Sequence, residues 1–273
     1  MNECELKEEI KNLSTKYKST KQEDLIEYLN YILEDKYDTK YCNLRLYNSV
    51  DKTKKIYLDF IKKYNLDDLL DNVIFNNKNY RFKESGIYDI DSNKKAVINI
   101  NNNTKDLFDL VRYSIILDQM NKGNDEVVSY IKAMLVEKKL LDYLIEIGYS
   151  NIECEKIKKY NFMEILYISN IVNCGLEEIK MYNQTFTISD NIFNKTKNNV
   201  KKCIENDEII KYNFLNSKKY IYGIMYSTYL HQKLNDEQFY EFLNTNMKFS
   251  EFVSKYKEDS SDIYKSYDRE YRI

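Results

Sequence analysis

Proline and tryptophan are missing from all 273 residues, glycine occurs five times, and histidine once. Each scarcity excludes something. The five glycines form neither a G-x-G-x-x-G nor a P-loop pattern, so no glycine-rich phosphate cradle is encoded. No G-x-S-x-G elbow occurs either. The lone His231 rules out H-E-x-x-H, which needs two imidazoles one helical turn apart to hold zinc and a glutamate between them to polarise water. The five cysteines, Cys4, Cys42, Cys154, Cys174 and Cys203, are odd in number, scattered, and free of any Cys-x-x-Cys. They read as reduced thiols of a cytoplasmic protein, with no disulfide framework and no metal. No apolar run approaches the ~20 residues of a membrane span, and "MNECELKEEIKNLSTKYKST" lacks the apolar core of a signal peptide. The net charge of −2 advertises neither nucleic acid nor an anionic membrane as partner.

What is present is ordinary in balance and skewed in detail. Hydrophobic residues make 43% and charged residues 32%, a globular proportion with enough chain to bury a core. The 27 tyrosines accompany abundant lysine, asparagine and isoleucine, all with AT-rich codons. An AT-rich genome explains that skew, so tyrosine number alone does not argue for a binding surface.

Apolar residues at helical spacing recur through the first eighty positions. Leu25, Tyr28, Leu29, Ile32 and Leu33 share one face, and Ile56, Phe60, Ile61 and Tyr64 another. The second run extends as helix through "NLDDLLDNVI". Residues 81–100 change character: two β-like runs, Gly86–Ile90 and Ala96–Ile100, flank "DSNKK" and predict a hairpin. "NNNT" supplies a helix cap at Asn103 or Thr104, with Asp106 suiting the helix dipole. The following "TKDLFDLVRYSIILDQM" is apolar nearly all round, the mark of a buried helix. "GND" breaks it, and the next helix ends at Gly148. Further helices are expected near 151–175, 190–212, 217–234 and 236–256. The expected fold is mainly α with one small β-hairpin or edge sheet. Residues 1–80 form an N-terminal helical region, 81–256 a hairpin plus helical core continuous with it, and 257–273 a polar tail.

One layout in this chain resembles a known family. "SGIYDIDSNKKAVININNNTKDLFDLVRYSII" is similar to the strand, N-x-T turn and zinc helix of oligoendopeptidase-type metallopeptidases of the gluzincin group. The resemblance covers roughly 85–235, about half the chain. It implies a thermolysin- or oligoendopeptidase-like catalytic-domain scaffold. It places Arg112 at the first histidine, Tyr113 at the glutamate and Ile116 at the second histidine. "DEVVSYIKAMLVEKKLLDYL" is similar to the helix that brings a third ligand, a glutamate: Glu126 counted from the front, Glu137 counted from the back. "KKYIYGIMYSTYLHQKL" is similar to the tyrosine-rich helix that contacts bound peptide, which implies a groove lined by Tyr220, Tyr222, Tyr226 and Tyr229, beside His231. None of the three zinc-motif residues survives, so the resemblance implies a scaffold without hydrolysis and without a cofactor.

A physical corollary follows. A buried carboxylate that loses its dication needs another positive charge. Arg112 is therefore expected to pair with Glu126 or Glu137, against the plain alternative that it snorkels to solvent. The plain alternatives elsewhere are a helix-surface or partly buried His231, core packing for the tyrosines, and solvated faces for "DKTKKIY" and "NKTKNNVKK". The expected function is a non-catalytic peptide- or protein-binding protein, a pseudoenzyme. The alternatives are a small all-helical regulatory or host-interaction protein, of phage or mobile-element type, and a nucleic-acid-binding module.

Overall fold

The computed structural model describes residues 27–28, 31–32, 48–77, 82, 84–150, 152–158, 218–256 and 259–272. Within the first expected helix, Tyr28 and Ile32 are helical and buried, while Leu25, Leu29 and Leu33 lie outside the described residues. The helix expected near 190–212 also lies outside them, as do Cys4, Cys42, Cys174 and Cys203. Residues 152–158 are helical and carry Cys154, a buried free thiol that burial pushes up from its ordinary pKa. The chain divides into two compact units, Met1–Tyr37 with Glu164–Ile221, and Asp38–Met163 with Tyr222–Ile273. No composition shift marks these boundaries.

In the second unit, helix α1 (Val50–Lys63) starts at Ser49, whose hydroxyl accepts from the Lys52 N–H. Its face of Ile56, Tyr57, Phe60 and Ile61 is buried. The helix stops at Lys63 because Asn65 turns to φ 48°. The stretch after it, expected as helix, contains instead strand β1 (Val73–Asn76). With β2 (Gly86–Ile90) and β3 (Asn93–Asn99) it forms a sheet ordered β1-β3-β2, so the chain is helix-dominated but not all-helical. β1 runs parallel to β3, Val73 opposite Ala96. A four-residue strand is too short for alternation to declare itself, and only the neighbour in the sheet fixes it.

The hairpin is present, with a shorter turn than expected. Asp91 and Ser92 alone reverse the chain, both at positive φ (49° and 64°), and Asn93–Lys95 continue the strand. Two consecutive positive-φ residues make the turn whose twist matches paired strands. β3 is central, and Ala96, Val97 and Ile98 are all fully buried. That is why its side chains show an unbroken apolar run.

Helix α2 (Thr104–Asn121) follows. Asn103 is its cap, accepting from the Lys105 N–H at 2.9 Å, and both carboxylate oxygens of Asp106 accept from the Asn101 N–H. Helix α3 (Glu126–Glu146) is capped by Asp125 and packs extensively along α2. Both helices close in the same way. Gly123 (φ 91°) and Gly148 (φ 98°) take the left-handed position that an L side chain disfavours. Asn124 and Tyr149 then bond back to Gln119 and Leu144, which satisfies the last carbonyls.

Helix α4 (Lys218–Lys233) reaches α3 at Gly223, where a Cβ would stand 2.5 Å from Met134 Sδ. The span 236–256, expected as one helix, is two: α5 (Asp236–Asn244), opened by a capping box of Asn235 and Gln238, and α6 (Phe249–Tyr256). The expected polar tail contains helix α7 (Ser260–Tyr271). Its Ile263 and Tyr267, one helical turn apart, are both fully buried, and that apolar pair is why it folds as a helix.

Candidate functional site

The middle of α2 carries Arg112 among buried apolar neighbours, and α3 brings Glu137 to it. Arg112 Nε donates to Glu137 Oε1 at 2.9 Å, with side-chain exposures of 9% and 7%. This is the carboxylate reached by counting back from "LDYL". Glu126 stands in the first turn of α3 and is half-buried. Tyr113 is buried beside Arg112, and Ile116 is fully buried. A lone arginine would be expelled from such a position, whereas an ion-paired one can stay.

The tyrosines expected to line a groove do not line an open one. Tyr220, Tyr222, Tyr226 and Tyr229 are all buried, at 2–8% exposure. Tyr222 packs on Phe249 (4.7 Å between ring centroids), Tyr226 lies edge-on to Phe252 (4.8 Å), and Tyr229 approaches Tyr256 (6.3 Å). The rings of Tyr222, Tyr226 and Tyr229 form a seam with α6. The Tyr229 hydroxyl bonds the Lys233 ammonium, which also holds Asp259. Those two partners push the Lys233 pKa well up. His231 is partly exposed, its Nε2 2.8 Å from Asp142 on α3. Close by, the buried Lys138 ammonium meets Glu270 (3.3 Å) and the Tyr271 hydroxyl (3.0 Å). Burial would raise the Glu270 pKa, but Lys138, Lys158 and His231 outweigh it and hold it low.

Two features escaped the sequence. The first is the open edge of the sheet. In a two-residue hairpin the pair flanking the turn, Ile90 and Asn93, is hydrogen-bonded, as are Tyr88 with Lys95 and Gly86 with Val97. Ile87 and Asp89 therefore turn their backbone N–H and C=O groups away from β3. Among the described residues no further strand pairs with β2. The second is Lys132, a fully buried lysine on α3. Its signal was a charge inside the apolar "SYIKAMLV".

Among the described residues no group of three or more His, Cys, Asp or Glu is placed to hold a metal ion, and no helix is long and apolar enough to cross a membrane. No family model, curated protein or solved structure matches this chain.

Proposed function

We propose that this chain is a non-catalytic protein that binds an extended peptide or protein segment, built on a degenerate scaffold of the oligoendopeptidase type. The Arg112–Glu137 pair carries the reading. The resemblance puts a ligand histidine at Arg112 and the glutamate ligand at Glu126 or Glu137, and here a guanidinium 2.9 Å from Glu137 supplies the positive charge opposite that carboxylate. Arginine cannot lose its proton to become a ligand, so the substitution closes the position to a cation. The binding half of the reading is supported by the edge of β2, to which no further strand pairs among the described residues. An extended segment can add to such an edge through main-chain hydrogen bonds, with adjacent side chains setting preference.

The test uses Asp89→Pro. The Asp89 N–H points away from β3, so proline there removes a donor from the open edge and none from the hairpin ladder. Fluorescence anisotropy with a panel of unstructured peptides should find binders whose affinity the variant lowers at least ~10-fold, the ~1.4 kcal/mol of one lost hydrogen bond. Binding that Asp89→Pro leaves intact places the partner elsewhere, and a panel without binders removes the peptide reading.

A further inference from the structure

Lys132 is 0% exposed, yet among the described residues no carboxylate pairs with it. Its ammonium shares its three N–H among four neutral oxygens within hydrogen-bond distance: Gln119 Oε1 at 3.0 Å, Asn124 Oδ1 at 3.3 Å, Leu243 O at 3.2 Å and Thr245 O at 2.7 Å. The Phe242 ring lies 5.3 Å away. Buried lysines are ordinarily paired with an acid. The charged groups that act on this one from a distance are Lys122 and Asp118, of opposite sign.

The oxygens come from three elements. Gln119 ends α2, Asn124 stands in the turn before α3, and the two carbonyls close α5 at its negative dipole end. The amide orientations are fixed by other donors. Asn124 Oδ1 also accepts from the Met247 N–H, and Gln119 Oε1 accepts from Asn124 Nδ2. Two of the four oxygens are therefore held toward the lysine by donors other than the lysine.

The geometry points to a small monovalent-cation site whose resident is tethered: four neutral carbonyl-type oxygens coordinate a cation, and the Lys132 ammonium fills the place that free ammonium or potassium would take. Two main-chain carbonyls and two amide oxygens, uncharged and convergent, suit a weakly hydrated monovalent ion; a divalent ion would call for carboxylates. The tethered cation fastens the α5–α6 connection to the α2–α3 turn. It is the tertiary reason that the helix expected over 236–256 is broken at Thr245.

Lys132→Ala empties the cage and leaves room for a free ion. The melting temperature of the full chain should fall by at least ~5 °C. Ammonium or potassium chloride should then restore part of that loss, and tetramethylammonium chloride at equal ionic strength should not. Wild type should show no such preference. A variant that responds alike to all three salts, or loses no stability, overturns the proposal. Should Lys132→Ala fail to fold, Gln119→Leu removes one oxygen and leaves the lysine. The Lys132 side chain, followed by NMR of selectively labelled lysine, should then titrate at lower pH than in wild type. An unchanged titration overturns the cage as what holds the charge.

Discussion

Removing either partner of the Arg112–Glu137 pair should cost far more than removing both. The two side chains are over nine-tenths buried and 2.9 Å apart, so water screens them poorly. At an effective dielectric of about 20 their attraction is roughly 4 kcal/mol. Arg112→Met leaves a buried carboxylate without this cation, and Glu137→Leu leaves a buried guanidinium without this anion. Each single variant should lose ~3–5 kcal/mol. The double variant replaces the pair with apolar volume, and should recover most of the loss of either single change. Urea denaturation followed by circular dichroism measures all four proteins, read as midpoint shifts at constant slope. The interaction energy from the cycle should exceed ~2 kcal/mol. Additive losses, or single variants that cost less than ~1 kcal/mol, would show that the pair is incidental and refute its role as a substitute for a bound cation.

Alkaline pH should reveal Lys132. Burial lowers its pKa from 10.5 to about 8, so between these values the unfolded chain binds a proton that the native protein does not. Stability should therefore rise between pH 8 and about pH 10, at up to ~1.4 kcal/mol per unit, and Lys132→Met should lack the rise. Above pH 10 the sign reverses. Burial, helped by Asp142, Asp236 and Glu146, pushes Tyr64 up to about 12, so its contribution is present below pH 10 and lost as pH climbs through 12. A denaturation midpoint that falls steadily from pH 7 to 10 contradicts the lysine assignment. In the hairpin, Ser92 holds φ 64° without being glycine. Ser92→Gly should relieve ~1 kcal/mol and raise the melting temperature by a few degrees. A lower melting temperature would mean that the serine side chain matters more than the backbone strain.

The elements whose local chemistry is complete were legible in the sequence. Asn103 followed by Asp106, and glycine after "LIEI", mark helix ends because a side chain or a left-handed residue within a few positions satisfies the loose backbone groups. The Arg112 pairing was legible only in part: the resemblance set Arg112 against a carboxylate at Glu126 or Glu137, with snorkelling to solvent as the alternative, and the structure pairs it with Glu137. β1 was not, because "VIF" is short and its strand character comes from β3, where Val73 pairs with Ala96. Nor was the break between α5 and α6, which contains no glycine or proline. Asn124, Asp125 and Lys132 make it from a distance by bonding the backbone of residues 243–249. The tyrosines of α4 showed a helical face, but spacing alone does not distinguish a face that binds a peptide from one that packs against α6.

The most direct test of the proposal that Arg112 closes this scaffold to metal is the zinc content of purified protein, with melting curves taken with added zinc and with chelator. The account predicts substoichiometric zinc and one melting temperature in all three conditions. One zinc per chain with a melting temperature that falls in chelator would contradict it, because the chain would then hold a metal site that Arg112 does not close.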